Sequence, residues 1–235
     1  PMTHPTEAFR AAYRASITPY YKPWLHAGFV FSYGLLCITL FWSTTQHIQP
    51  LEWLTIPLTL VFFNLCIYLV HRHLGHHKPP PPRPPPTPPA PRFFSPRHTG
   101  DHHSFFTPGH MTYDSPRDWR VILFPAWLIL IHSLAITLPA WWLLKHLNPN
   151  VAGLFAGCMI LGYLLYEFFH ACEHLHPDHP VARLPWIRQM HHLHALHHRR
   201  ELMQGRNFNI VLPLMDYLFG TLHWEPQAHE SKKAQ

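Results

Sequence analysis

A dense group of histidines lies between His191 and His198, where five of eight residues are histidine. On an α-helix, His194, His197 and His198 are three and four positions apart and therefore share one face. Neutral imidazole is the commonest protein ligand for metal ions, whereas a solvated helix would carry Lys and Glu at such positions. The spacing predicts a metal site; a solvated or buried histidine cluster is the alternative.

Three further histidine clusters are spread along the chain. They are His71-Arg72-His73-Leu74-Gly75-His76-His77, His98-Thr99-Gly100-Asp101-His102-His103 and His170-Ala171-Cys172-Glu173-His174. One ion takes at most about six ligands, so about ten clustered histidines indicate two ions. Imidazole suits iron, zinc, copper and nickel, and ligand type alone does not choose among them. Many imidazoles and few carboxylates favour redox activation of dioxygen over hydrolysis.

The elements that must position these clusters are four apolar runs, at about 24–42, 53–70, 121–144 and 151–169. Each is near the roughly 20 residues that a helix needs to cross a bilayer, and tryptophans lie near their ends, as in an interfacial belt. Charged residues make up only 13% of the chain, against roughly 25% in soluble proteins. The pattern predicts an all-α integral membrane protein with four transmembrane helices in two hairpins. Buried helices of a soluble protein are the alternative.

The distribution of basic residues predicts the orientation. With four spans, segments 1–23, 71–118 and 170–235 face one side, and of the 18 Lys and Arg residues only Lys145 belongs to the other. This bias predicts that the three segments are cytoplasmic. The net charge of +6 is explained by a membrane surface, so no nucleic-acid partner is expected. The histidine clusters fall on the same side, so residues 1–235 are predicted to form one domain with a cytoplasmic, His-rich helical cap.

The order of the clusters resembles that of the membrane-bound di-iron fatty acid hydroxylase and sterol desaturase superfamily. The matching motifs are His71-x4-His76, His98-x3-His102-His103, His170-x3-His174 and His194-x2-His197-His198. Further resemblance lies in residues 97–107, in Asn207-Phe208-Asn209 and in residues 216–221. The resemblance implies four spans under a metal-bearing cap and oxygen-dependent attack on an unactivated C–H bond of a fatty acyl or sterol-like membrane lipid, giving an alcohol or a double bond.

The resemblance also implies the ligand set, with no catalytic residue beyond it. The proposed ligands are His71, His76, His98, His102, His103, His170, His174, His194, His197 and His198. His71 and His76 are five apart and would not share an α-helical face, so His73 is the reserve. His103 has the same difficulty relative to His98, which a bulge or non-helical turn would resolve. Carboxylates that could hold the far ring nitrogens are Glu167, Asp101, Glu173 and Asp216, with solvated or capping roles as the alternative.

The implied cofactors are two iron ions, with dioxygen as co-substrate. Electrons would come from a separate cytochrome b5-like or ferredoxin-like protein. The implied location is a bacterial inner membrane or the endoplasmic reticulum. The sequence does not name the lipid, the carbon attacked or the oligomeric state.

Two other functions fit parts of the pattern. A membrane zinc-type metallohydrolase would use metal-bound hydroxide, and a metal transporter would carry polar ligands through its spans. The spans contain mainly His132, for which a satisfied polar residue in the bundle is expected. His191 and His192 are expected behind the ligands or at the surface, and His176, His179, His223 and His229 at the surface. The four cysteines are expected to pack rather than to bridge. The proline run 79–91 is predicted to be polyproline II, as a spacer, an altered stretch of sequence or a docking motif.

Overall fold

A computed structural model of the protein describes residues 5–76 and 96–226, and within these residues it contains helices and no strand. The helices are α1 (Pro5–Ser16), α2 (Pro23–Trp42), α3 (Glu52–Gly75), α4 (Pro96–His102 continued by His103–Phe105), α5 (Pro116–Asp118 continued by Trp119–Ile122), α6 (Leu128–Leu144), α7 (Pro149–Cys172), α8 (Pro185–His197) and α9 (Leu214–Leu218). The proline run 79–91 and His229 lie outside the described residues.

Three of these helices, α2, α3 and α7, are long and apolar enough to cross a membrane. In α7, 72% of the most apolar stretch is buried, against 17% in α2 and 22% in α3. Helix α7 is therefore the centre of the bundle, and α2, α3 and α6 pack around it. Large side chains of α2 such as Leu35 and Leu40 stay exposed, as lipid-facing residues do. This is the architecture of an integral membrane protein.

The prediction that the third span, 121–144, begins at residue 121 is wrong. Val121 and Ile122 end the short helix α5 and are buried beside α1 and α4, and the apolar helix α6 begins only at Leu128. Leu123 is extended and Pro125 has no N–H to continue a helix, so the chain breaks here rather than kinking. The remaining helix has 17 residues, at the lower limit for crossing a bilayer. Crossing by α6, and hence the four-span topology, remains a prediction.

The loops that close the two hairpins meet at the end of the bundle remote from the clustered histidines. The Gln46 N–H donates to Asn150 Oδ1 at 2.8 Å, and the Asn148 and Asn150 amides donate to the two Glu52 carboxylate oxygens at 2.7 and 2.8 Å. Asn148 also caps α7 by accepting from Val151 N–H. The α2–α3 and α6–α7 connections are thus fixed to each other. At the opposite end, α3 and α7 both finish in histidines.

The amphipathic helix α1 is fastened across the histidine-bearing end. Arg14 donates to both oxygens of buried Asp118 at 2.9 and 2.8 Å, and Arg10 donates to Asp114 at 3.1 Å. Beneath them Tyr13 packs edge-on against Phe105 of α4. Helix α1 therefore covers the short helices that carry part of the cluster.

Glycines allow the close packing of α2 on α7. A Cβ on Gly34 would lie 2.7 to 3.0 Å from three side-chain carbons of buried Leu164, whereas a Cβ on Gly28 of the same helix would meet nothing within 4 Å. We predict that Gly34→Val lowers stability by about 1–3 kcal/mol through overpacking and that Gly28→Val does not. Thermal unfolding of the detergent-solubilised protein measures both, and equal midpoints would contradict the packing described.

Candidate metal centre

Five buried histidines from three separate parts of the chain form a first group. Their ligand atoms all lie within 4.8 Å of one another. The group consists of His71 and His76 from the end of α3, His98 and His103 from α4, and His197 from α8. Gly75 permits the approach of α3 to α4, since a Cβ there would lie 3.2 Å from the His98 ring and 3.3 Å from the His71 ring.

A second group lies directly beside the first. It consists of His102 from α4, His174 just after α7, and His194 and His198 on and after α8, again with ligand atoms within 4.8 Å of one another. His170 of α7 adjoins it, with its Nε2 3.2 Å from His102 Nε2. The two groups touch where the His103 and His198 rings stack at 4.1 Å. The structure therefore brings all ten predicted ligands together, and each is at most 8% exposed.

Turns of π-helix resolve the awkward five-residue spacings. Residues Val70–Gly75 form one such turn, in which the His76 N–H donates to the His71 carbonyl at 3.1 Å, and Pro96–His102 form another. Hydrogen bonds from residue i to i+5 place residues five apart on one face. The expected departure from α-helix is thus confirmed at His98 and His103 and also occurs at His71 and His76. His73, the reserve residue, is exposed and is not in either group.

The distances between ring nitrogens match ligands that share an ion. His71 Nε2 lies 2.8 Å from His98 Nε2, His76 Nε2 lies 3.0 Å from His197 Nε2, and His103 Nε2 lies 3.2 Å from His98 Nε2. Two nitrogens bound to one ion at about 2.1 Å and at right angles would lie about 3.0 Å apart.

Backbone carbonyls fix the tautomer of half the set, because five of the rings donate through Nδ1–H. The pairs are His71 with Phe208, His102 with Val121, His174 with Met111, His197 with Arg206 and His198 with Phe106. A carbonyl oxygen only accepts, so each Nδ1 carries the proton and each Nε2 keeps its lone pair. This is the tautomer that ligation through Nε2 requires.

The surroundings of His194 show that a cation fits between these rings. Its Nε2 lies 3.1 Å from His174 Nε2 and 3.0 Å from His198 Nε2, both of which present lone pairs. Its Nδ1 lies 3.5 Å from a carboxyl oxygen of Glu173, and with the proton on Nδ1 its Nε2 presents a third lone pair. Three lone pairs then converge in a buried space. Neutral rings alone repel in this arrangement, whereas a metal ion stabilises it.

Buried polar atoms that lack a hydrogen-bond partner among the described residues also occur here. They include Nδ1 of His76 and His103 and both carboxylate oxygens of Glu173. Such atoms are costly unless another group compensates them. A bound ion would withdraw electron density from the rings and favour an anionic Glu173 behind His194. The residues present therefore fit a metal centre.

The other three carboxylates differ from Glu173 in what they contact. Glu167 accepts from the Phe124 N–H and so caps the start of the loop before α6. Asp101 is buried and acts electrostatically on Arg97. Asp216 contacts none of the ten rings. Glu173 is positioned behind His194 of the second group, and Glu167 has the capping role.

Asp216 instead stabilises a turn whose backbone carbonyls accept hydrogen bonds from two of the histidines. Its two oxygens accept from the Phe208 and Asn209 N–H groups at 3.0 and 2.7 Å. Next to them, Asn207 has a φ of 55° and its side-chain amide donates to the Leu193 carbonyl. The turn thereby presents the carbonyls of Arg206 and Phe208 to His197 and His71. The side chains of Arg206 and Phe208 do not identify their carbonyls as acceptors for the histidines. In the sequence, only the motifs Asn207-Phe208-Asn209 and 216–221 pointed to this segment.

Six further histidines of the described residues lie apart from both groups. His191 donates to the Glu173 carbonyl and therefore lies behind the second histidine group. His192 donates to the Glu225 carbonyl and lies near the surface. His132 donates to the Met159 carbonyl at 3.2 Å, which is the satisfied polar role expected. His176 and His179 are exposed, and His223 pairs with Glu225. All four cysteines are free.

Comparison with known proteins places the chain in a family. The family model described as fatty acid hydroxylase matches residues 56–221, which is well over half of the chain and includes all ten clustered histidines. No curated protein and no solved structure matches the chain.

The choice between His71 and His73 can be tested by metal content. We predict that His71→Ala lowers the affinity for iron or zinc at least about tenfold, as loss of groups at metal sites does, and that His73→Ala leaves it unchanged because that ring is exposed. Elemental analysis after dialysis against graded chelator measures both. Equal retention by the two variants would exclude His71 from the centre.

Acid should destabilise the metal-free protein. Burial lowers the pKa of His76 to about 2 and of His198 to about 3, and it holds the pKa values of His98, His102, His103, His174, His194 and His197 well below the ordinary value. The unfolded chain takes up these protons near pH 6.5 and the folded protein does not. Stability is therefore complete above about pH 6.5 and falls toward about pH 3, by about 1.4 kcal/mol per pH unit for each such histidine.

The melting midpoint of the metal-free protein, recorded between about pH 7.5 and about pH 5, checks this behaviour. It should fall with pH, and a midpoint independent of pH would show that the rings are solvated. Ala substitution of exposed His176 and His179 is the control for the loss of two histidines that lie outside the groups.

Proposed function

The chain belongs to the fatty acid hydroxylase family, and we propose that it uses dioxygen to hydroxylate an unactivated C–H bond of a membrane lipid at a pair of histidine-bound iron ions. The observation that supports this most strongly is the adjacency of two buried histidine groups at the ends of two membrane helices. One group without the other would equally suit a single structural ion.

Each group would hold one ion. The first would use His71, His76, His98, His103 and His197, and the second His102, His174, His194 and His198 together with His170. At a six-coordinate metal, five imidazoles leave room for one further ligand and four leave room for two. Imidazole suits several metals, and iron is proposed because of the family.

The bound iron pair would supply the reductive activation of dioxygen. In the overall reaction a C–H bond and one O2 give a C–OH group and one water, with two electrons and two protons consumed. No group of the described chain is an electron carrier, so we propose a cytochrome b5-like or ferredoxin-like protein as the donor.

The protein's own residues would exclude water and keep the ligands in place. The Phe106 ring stacks on the His174 ring at 3.8 Å, and Phe208 packs edge-on against His71 at 5.7 Å. Both aromatic residues are fully buried and also offer their carbonyls to ligand rings. The same residues therefore seal the centre and orient it.

The two other candidate functions have less support. A hydrolase with metal-bound hydroxide would need a general base near the open position of the ion, but Glu173 lies behind His194 rather than inside a group. A transporter would need ligands along the spans, but the His132 ring is held by a carbonyl in α6–α7 packing.

The proposed location of the centre is the cytoplasmic surface of a bacterial inner membrane or of the endoplasmic reticulum. The described basic residues near the histidine-bearing end, such as Arg72, Arg97 and Arg120, support this orientation, while Lys145 lies at the opposite end.

Lipid mass spectrometry of cells supplied with isotope-labelled dioxygen tests the function. A lipid that gains one labelled oxygen is expected with the intact protein, and about 100-fold less with His198→Ala, which removes a ligand at the contact between the groups. His179→Ala, at an exposed ring, is the control. A lipid that only loses two hydrogens would make the protein a desaturase. Turnover without dioxygen would contradict the proposal and favour the hydrolase.

A further inference from the structure

An apolar groove runs between α3 and α7 in the membrane part of the bundle. Its volume is about 180 Å³, and residues 210–212 close it on a third side. Its walls include Leu60, Phe63 and Ile67 of α3 and Gly162, Leu165 and Tyr166 of α7. The lining contains no charged side chain, and the Asn64 amide and the Tyr166 phenol are its polar groups. Such a surface suits a hydrocarbon better than a polar ligand.

The mouth of the groove is surrounded by exposed apolar side chains. Val61 and Leu212 line it and are 40% and 42% exposed. Helix α9, which packs on α3 through Leu214 and Met215, exposes Tyr217 and Leu218. Exposed apolar surface of this kind on a membrane protein lies against lipid. The groove therefore opens toward the bilayer.

The inner end of the groove points to the first histidine group. A much smaller cavity of about 10 Å³ shares Ile67 and Tyr166 with the groove and is also lined by Phe124, His71 and His98. A cavity of this size holds about one water, so a hydrocarbon chain passes only if the shared side chains move. Ile67 and Tyr166 thus stand between the groove and the histidines.

Helical periodicity places the groove residues and the histidines on one continuous face of each helix. On α3, Leu60, Asn64, Ile67 and His71 follow each other at intervals of three or four residues and so share a face. At 1.5 Å per residue this row is about 16 Å long. On α7, Gly162, Tyr166 and His170 form the matching row. The two rows, about 16 Å long on α3 and about 12 Å long on α7, bound a path for an extended chain rather than for a compact molecule.

Hydrogen bonds to α3 fix the third wall of the groove, residues 210–212, in place. The Asn64 amide donates to the Leu212 carbonyl at 2.9 Å, and the Asn209 amide donates to the Asn64 carbonyl at 3.1 Å. Asn209 belongs to the turn that Asp216 holds. The groove is therefore part of the same framework as the metal centre, and opening must come from the side chains at its neck.

We infer that this groove admits one hydrocarbon chain of a bilayer lipid sideways between α3 and α7, and that Ile67 and Tyr166 gate its passage to the first histidine group. The first group, which contributes His71 and His98 to the inner cavity, then faces the substrate. The inference rests on the proposed function for the chemistry at the histidines, but occupation of the groove by a lipid chain is independent of it.

Photolabelling of the metal-loaded protein under anaerobic conditions tests this directly. The full chain in phosphatidylcholine vesicles is irradiated with a fatty acid that carries a diazirine near its methyl end, and the adducts are located by peptide mass spectrometry. Adducts should concentrate on groove residues relative to lipid-facing Leu58 and Leu69. Ile67→Trp should reduce them about tenfold, the loss expected when about two methylenes no longer bury their surface. Leu69→Trp, two residues away and outside the groove, should not.

A second variant guards against misfolding of Ile67→Trp. Ile67→Ala widens the neck and should increase adducts on Val70 and Phe124, which line the inner cavity. Adducts spread evenly over the lipid-facing residues, or unaffected by either substitution, would overturn the inference. Groove labelling without any oxygenated product would leave the inference standing and remove the proposed reaction, whereas full turnover by Ile67→Trp with unchanged labelling would do the reverse.

Discussion

The mutual repulsion of neutral imidazoles in a buried space is the constraint on which the rest of the structure depends. Ring nitrogens about 3 Å apart, several of them forced by backbone carbonyls to present lone pairs, gain nothing from one another. The rings are not exposed to water, because α1, α4, α5 and α8 cover them. Protonation is equally unfavourable, since neighbouring positive charges would repel in a medium of low polarity. A metal ion in each group removes the conflict, so the fold and the ions are expected to be linked thermodynamically.

The scaffold meets this constraint largely through its main chain. The ends of α3 and α7 bring histidines to one end of the bundle, and α8 with the residue after it supplies His194, His197 and His198. Two π-helical turns correct the angular position of rings that an α-helix would direct apart. Carbonyls of irregular segments then fix the protons, and Asp216 and Asn207 hold one of those segments in shape. Residues that are not themselves ligands are thus essential to the geometry of the ligands.

Some of this was predictable from residue spacing and some was not. The pairs His170/His174 and His194/His198 follow from α-helical periodicity, and three of the four spans follow from apolar length. The break at Leu123–Pro125 was missed because membrane helices often tolerate proline, and here the preceding residues have a buried site of their own beside α1 and α4. The division of His98 and His103 from His102 depends on a π turn, which has no strong sequence signature. Backbone acceptors such as Phe106 carry no side-chain signal, and the role of Asp216 depends on contacts made after folding.

X-ray absorption spectroscopy of the protein after anaerobic loading with ferrous iron tests the central claim most directly. The structure predicts that two equivalents of iron remain bound after gel filtration and that scattering from imidazole rings dominates the spectrum, with nitrogen at about 2.1 Å. Binding of a single equivalent, or an iron environment without imidazole scattering, would contradict the proposal that these ten histidines hold a pair of ions.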